Sequence, residues 1–447
     1  MVGEFLTRKF RTLDRSFFRD IARIPPGHVL VGTESEIQTF DYRVIPANEL
    51  AFSSAAECQE ELRSRLFRAV ERRLSSAKPS IVLLSGGVDS TSIACAADRL
   101  AVASHRMVDL ARPIAAAAVH PGLECDESVY IDAVERYLRI PVFRWNGALA
   151  DGVEFSEPLI GGPGNRVPWT GGTDGHLRIA EVHGAEVLLD GTGGDQVGMP
   201  LGTEHDEFTQ SDWLRATSDV FGSAYSGRNL LRWTMGIAVP LSVMRAYRRV
   251  RQRLSSPPVV PSWLRSTISF RQQSTPADYR VFISESQRMR WQTLTAAPLA
   301  AAIDIKQRHS TWAGLQTTFP FLDWDVIQFV LAVPEKYWPR PGWLARFHRE
   351  ALRSDLPPAV YFRRSKAEFT PALVNRLRRG KPALSALLGS KRWAAGQFID
   401  QSYARKLLDT FMNLQRPGFA AAYHLWSIAA VESWLRHIFD YHTAHQS

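Results

Sequence analysis

One short stretch constrains this chain more than any other. Ile81-Val82-Leu83-Leu84 is apolar, β-branched at its start and too brief for a helix. Ser85-Gly86-Gly87-Val88-Asp89-Ser90 comes directly after it, and a helical pattern then runs from Asp89 to about His105. A buried strand that turns through two glycines into a helix is half of a βαβ unit. It commits its surroundings to a parallel sheet with helices on both faces. The rest of residues 50–190 agrees. Ser53 and Ser54 can cap a helix that carries Glu57 in its first turn and Leu62, Leu66, Val70 and Leu74 at four-residue spacing. Ile114–Val119 reads as a second strand, Glu127–Leu138 as a helix and Pro141–Phe143 as a third strand. His176–His183 reads as a helix and Glu186–Leu189 as a fourth strand. The expected fold class is α/β, with a doubly wound parallel sheet that binds ligands at the carboxyl ends of its strands.

Beyond residue 200 the strand signal fades and helices dominate, with loops near Ser255–Ser262 and Pro334–Gly342. Gly161-Gly162-Pro163-Gly164 and Gly171-Gly172 bracket an expected mobile loop. Residues 1–50 differ from the rest of the chain: Ile24-Pro25-Pro26-Gly27-His28 is turn chemistry before a strand-like Val29-Leu30-Val31. This stretch is expected to be an arm of residues 1–50 packed on a main domain of residues 51–447.

Composition excludes several classes. Over 447 residues, 45% hydrophobic and 22% charged content rules out disorder or coiled coil as a description of the whole chain. Three cysteines without CxxC make no disulfide framework and no zinc ribbon. The net charge of +9 favours acidic partners such as nucleotides or acidic peptides. The basic residues are dispersed, so no nucleic-acid tail and no nucleic-acid partner are expected. No apolar run is long enough for a transmembrane helix and no secretory h-region occurs, so a cytoplasmic location without membrane association is expected.

The Ser85–Ser90 turn suits an anion. Glycines let backbone approach a phosphate, and a helix start supplies free N–H groups. Yet no GxxxxGK[ST] occurs. Asp89 would repel a bare phosphate, and a bridging Mg²⁺ removes that conflict. Read as ordinary structure, the segment would be a glycine turn with a serine cap.

SGGVDS resembles the pyrophosphate loop of ATP pyrophosphatases, the adenine nucleotide α-hydrolase type, which cleave ATP between the α and β phosphates. Leu188-Leu189-Asp190-Gly191-Thr192-Gly193-Gly194-Asp195-Gln196 is similar to the G-x-G-[SAG]-D element of the asparagine synthetase and β-lactam synthetase family. Pro320-Phe321-Leu322-Asp323 looks like that family's PFLD, and Phe362-Arg363-Arg364-Ser365-Lys366-Ala367-Glu368-Phe369 like its R-x-K-x-x-F segment. The resemblance covers about residues 50–440. It implies the α/β ATP pyrophosphatase fold with a largely helical C-terminal half. It also implies ATP and Mg²⁺ as cofactors, with Asp89 and Asp195 as metal ligands. Leu84, Ser85, Gly86, Gly87, Asp89, Ser90, Val119, Asp190 and Gly191 would surround ATP. Lys366, with both aspartates, would be catalytic by stabilising charge at the adenylate.

Residues 24–28 also resemble the end of the family's N-terminal glutaminase domain, so the arm is expected to be a remnant of it. Val2 stands where such glutaminases need cysteine, which argues against glutamine-derived ammonia. Thr192 stands where asparagine synthetases carry Glu and β-lactam synthetases Tyr. Gln316 and Thr318 replace an E-x-R. Gly-Thr-Gly-Gly-Asp is most like lasso peptide cyclases. The resemblance thus implies ATP-dependent amide-bond formation through an acyl-adenylate. The expected reaction is macrolactam closure between a peptide Asp or Glu side chain and an N-terminal amine. A precursor peptide and a leader-peptide protease would be the partners. The alternative is an asparagine synthetase-like ligase that joins a small carboxylate to free ammonia or another small amine. His120, His176 and His183 are candidate bases only because histidine titrates near neutrality.

Overall fold

The structure is a computed structural model that describes residues 1–74, 78–104, 111–147, 162–163, 175–200, 261–265, 281–339, 346–364 and 366–444. Most of the glycine-bracketed stretch 161–172 and of the loop 255–262 lies outside these residues.

Five parallel strands form the central sheet: β3 (Ser80–Leu84), β4 (Ile114–Val119), β5 (Val142–Asn146), β6 (Val187–Leu189) and β7 (Gln316–Thr318), in the order β5-β4-β3-β6-β7. Their pairing is parallel throughout, with Ile81 opposite Ile114 on one side of β3 and opposite Leu188 on the other. The order reverses between β4 and β6 around β3, so the glycine turn after β3 opens at the topological switch point. That is where open α/β sheets take their ligands.

Helices cover the sheet. In α2 (Ala55–Glu71) the hydroxyl of Ser54 accepts from the Glu57 N–H at 3.1 Å, and the Glu57 carboxylate accepts from the Ser53 N–H at 2.6 Å. Leu62, Leu66 and Val70 are buried at the expected spacing. Helix α3 (Val88–Ser104) is almost wholly buried along Ile93–Ala97, as a helix between a sheet and further helices must be. Helices α4 (Ser128–Tyr137) and α5 (Gly175–His183) complete the crossovers. Helices α2, α3 and α4 share one core with α9 (Trp324–Ala332), in which Val82, Leu84, Ile93, Phe321, Phe329 and Phe347 are buried together, whereas Ala180 of α5 packs with Ile81, Ile114, Ala116 and Leu188 in a separate cluster.

Two strand features depart from the sequence reading. Strand β7 stands in the stretch where helices are expected to dominate, and β1 (His28–Gly32) pairs antiparallel with an unforeseen β2 (Ile37–Asp41). Beyond residue 281 the described chain is otherwise helical. It holds α7 (Glu285–Leu294), α8 (Ala297–Trp312), α10 (Phe347–Ala351), α11 (Pro358–Tyr361) and α12 (Thr370–Arg379). Then come α13 (Lys381–Gly389), α14 (Gln401–Asn413) and α15 (Phe419–Ala444). A second core is built around α15, and it includes Phe5 and Leu6 of α1 (Val2–Thr7). Among the described residues, no helix is long and apolar enough to cross a membrane.

Candidate active site

The turn after β3 is closed by its own serines. The Ser85 N–H donates to the Ser90 hydroxyl at 3.1 Å, and the two hydroxyls lie 3.0 Å apart. Gly86 has φ +68°, and a Cβ there would lie 2.9 Å from Tyr130 Cβ, so glycine is required twice over. Leu84 is buried beneath the turn and Val119 ends β4 beside it.

The second loop leaves β6 and lies directly on the first. A Cβ on Gly194 would sit 2.6 Å from Asp89 Cγ, and one on Gly191 would sit 3.0 Å from the Ser90 nitrogen. Gly191 and Gly194 are thus the contact surface between the loops, while Gly193 packs on Leu322. They bring Asp89 and Asp195 to one rim. Asp195 begins the short helix α6 (Gly194–Gly198).

A cationic segment faces both aspartates. Lys366 Nζ donates to Asp195 Oδ2 at 2.7 Å, and Arg346 donates to Oδ1 at 2.9 Å. Burial pushes the Asp195 carboxyl up, but the Lys366 hydrogen bond and the two cationic charges outweigh it and hold the group below its ordinary value. His348 is fully buried, with Nε2 2.8 Å from Asp89 Oδ1. The pair is misaligned, so neither atom has a hydrogen-bond partner. The missing side chain of Gly198 makes room for that ring, since a Cβ would meet His348 Nδ1 at 2.3 Å. Arg349 donates to the carbonyls of Tyr361 and Arg363, which ties the Arg346–Arg349 turn to the Lys366 segment. No motif marked Arg346, His348 or Arg349; the only sequence signal is three basic residues within four positions.

Arg363 corrects an expectation. As one member of the basic run Arg363-Arg364-Ser365-Lys366, it is expected to supply surface charge or to steer an acidic peptide. It is buried instead, with its guanidinium on the Glu127 carboxylate, on the Gly86 carbonyl at 3.0 Å and over the Tyr130 ring at 3.9 Å. It buttresses the glycine turn from below. Ser365 lies outside the described residues.

Asp190 is also buried, with its carboxylate held by Thr192 and by Lys306 of α8, so its side chain serves the loop itself. Asp323 of the PFLD element caps α9 by accepting from the Asp325 N–H at 3.0 Å. It also pairs with Arg72 at 2.8 Å and Arg73 at 2.6 Å, which is a structural role. Of the histidines, His120 follows β4 at the carboxyl rim; it is buried, its Nε2 lacks a partner, and burial pushes its pKa down. His176 packs on Trp145 and His309, and His183 on Phe143. Neither is brought to the two loops by these contacts.

Mg²⁺ characteristically binds one or two carboxylates plus substrate phosphates and water. Asp89 and Asp195 on one rim fit that donor set, and Asp89 Oδ1 is a buried carboxylate oxygen without a hydrogen bond. Among the described residues no group of three or more His, Cys, Asp or Glu could hold a metal alone. A Mg²⁺ held by the two aspartates would take its remaining oxygens from substrate phosphates and water.

A cavity of about 800 Å³ opens between the base of the β1–β2 hairpin and the β7–α9 region, lined among others by Tyr42, Trp291, Thr317, Thr318, Phe319 and Trp324. The Thr318 carbonyl accepts the Asp190 N–H at 2.9 Å, so the cavity borders the second loop.

A parallel sheet with helices around it, a glycine loop pair at its carboxyl rim and a helical C-terminal half define an α/β fold of the ATP pyrophosphatase type. The chain belongs to the asparagine synthase family, which it matches over residues 61–436. Enzymes of that family use ATP. A stretch of 91 residues is 33% identical to an amidase, chyE, of Penicillium rubens. That stretch is 20% of this chain and spans only 14% of the amidase.

Proposed function

We propose that this chain activates a carboxylate with ATP and closes a macrolactam. The observation that carries the activation step is the stacking of Gly191 and Gly194 on Ser90 and Asp89, which gathers two carboxylates and a phosphate-sized glycine turn on one rim. Asp89 and Asp195 would hold Mg²⁺, which supplies charge neutralisation at the triphosphate. The substrate carboxylate attacks the α-phosphorus, so an acyl-phosphate anhydride forms and pyrophosphate leaves. Lys366 and Arg346 supply positive charge at that rim. The amine then attacks the acyl carbon, AMP leaves and the amine gives up its proton. With both ends in one peptide, the second step is intramolecular. The Gly-Thr-Gly-Gly-Asp loop supports a peptide Asp or Glu side chain as the acid and the peptide's N-terminus as the amine. The aromatic cavity beside Thr318 supports a peptide-sized ligand. Cytoplasmic action on a precursor peptide, alongside a leader-peptide protease, completes this reading.

The test is incubation with Mg²⁺, ATP and a panel of acidic peptides and small acids, with and without ammonia. AMP, pyrophosphate and a peptide lighter by one water are expected. ADP and orthophosphate would overturn the activation step. Amide formation only from small acids and ammonia would overturn ring closure. Asp89→Asn and Asp195→Asn should each lower the rate by at least ~100-fold.

A further inference from the structure

The turn that follows β6 closes around a buried carboxylate. Asp190 Oδ1 accepts from the Thr192 N–H at 2.7 Å and from its hydroxyl at 2.6 Å. Lys306 Nζ donates to Asp190 Oδ2 at 2.7 Å and to Thr192 Oγ1 at 2.7 Å. A threonine hydroxyl has one proton, and here it goes to Asp190, so Thr192 meets Lys306 as an acceptor. Three side chains thus form a closed ring of hydrogen bonds. Lys306 reaches it from α8, an element outside every motif recognised in the sequence. The same helix lines the cavity through Ile303 and Gln307.

The ring fixes more than itself. Gly191 follows Asp190 and touches Ser90, and Gly194 touches Asp89. The Gly194 contact leaves no room for a methyl group and the Gly191 contact is tight, so a small shift of residues 190–195 alters the spacing of the two loops. A buried carboxylate stays put only with its counterion in place.

We propose that Lys306 is a positioning residue of the nucleotide site, which sets the 190–195 turn on the Ser85–Ser90 turn through its bonds to Asp190 and Thr192. The inference rests on the nucleotide-binding reading above. Lys306 acts through its two partners and need not touch ATP. Its identity as lysine matters because a compact ammonium serves two acceptors on one turn, whereas a planar guanidinium spreads its donors.

The experiment compares the full chain with Lys306→Met, Lys306→Arg and the double variant Lys306→Met with Asp190→Asn. Binding of Mg²⁺ with a non-hydrolysable ATP analogue is measured by calorimetry, beside the melting temperature. Lys306→Met should weaken the analogue by ~10–100-fold, the scale for losing a partner that orients a binding group. Lys306→Arg should recover part of it. The double variant leaves no charge buried alone, so its melting temperature should return toward that of the parent. Its affinity should stay low, because the ring is still broken. Affinity that recovers together with melting temperature would reduce Lys306 to a structural counterion and overturn the proposal. So would analogue affinity in Lys306→Met within about twofold of the parent. If the parent chain itself fails to bind the analogue, the nucleotide reading falls and this inference with it. A parent that binds beside an unaffected Lys306→Met removes the inference alone.

Discussion

Lys366 and Arg363 stand three positions apart in one basic run, and they differ in what they can do for folding. Lys366 has a side chain 70% exposed, so its ion pair contributes about 0–1 kcal/mol of stability. Lys366→Ala should therefore leave the melting temperature near that of the parent. Its effect belongs in turnover: kcat should fall ~100–1,000-fold, the range for one preorganised donor, while affinity for a non-hydrolysable ATP analogue changes little. Equal kcat in parent and variant, by pyrophosphate release at saturating substrates, would place the catalytic cation elsewhere. Arg363 behaves in the opposite way. Its removal leaves Glu127 buried without its partner, a loss of about 3–5 kcal/mol readable in denaturant unfolding. Sequence alone could not separate these two, because both sit in one basic run and only burial distinguishes them. Asp190 gives a pH signature. Burial pushes its carboxyl up, but the charge and hydrogen bond of Lys306, with the Thr192 bonds, outweigh that and hold it below its ordinary value. A carboxyl lowered by folding contributes stability that is fully present above its unfolded pKa, roughly 4, and is lost as pH falls through the lower folded value. Asp190→Asn should flatten the stability curve below that pH. An unchanged acid limb would show that the carboxyl is not held down.

At the scale of elements, what was legible came from local rules. Strands β3, β4 and β6 are apolar runs between turns, and α2 announces itself by its cap and its four-residue spacing. Strand β7 was not legible: Gln316-Thr317-Thr318 has no apolar run and becomes a strand only because β6 offers an edge. Strand β2 was missed for a similar reason, since all its residues are exposed. The glycine turns were legible as turns. Their contact with each other was not, because nothing local says that Gly194 must touch Asp89. That contact makes a prediction at this scale. Gly194→Ala puts a methyl 2.6 Å from Asp89 Cγ and must displace the Asp89 carboxylate or push the two loops apart. Gly194 already sits in a helical turn at ordinary φ, so the chain should still fold, with a melting temperature within a few degrees of the parent. ATP-analogue binding and pyrophosphate release should both collapse, by ~100-fold or more for an ångström-scale displacement at the reacting centre. Retained activity would mean that the loops do not act as one site.

At the scale of the whole molecule, the chain's two ends meet. Phe5 and Leu6 are buried in the second core, and Phe5 lies 5.5 Å from Trp426, 6.3 Å from Tyr423 and 6.0 Å from Phe17 between ring centroids. The Tyr423 hydroxyl donates to the Phe5 carbonyl at 3.3 Å, and Arg8 stacks over Phe419 at 4.5 Å. What α1 buries, it buries against α15 and Phe17. The β1–β2 hairpin of the same stretch is different, with Phe40 51% exposed. These contacts predict an uneven arm. Phe5→Ala removes a fully buried ring from a packed aromatic cluster and should cost about 3–5 kcal/mol. Phe40→Ser should change stability by less than about 0.5 kcal/mol, as surface substitutions do. Denaturant midpoints for the two variants check this directly. Because the second core is separate from the one beneath the nucleotide rim, Phe5→Ala should keep its pyrophosphate-releasing activity at temperatures where it remains folded. Equal midpoints for the two variants would contradict the docking of α1 on α15, and lost activity in a folded Phe5→Ala would show that the two cores do not stand apart.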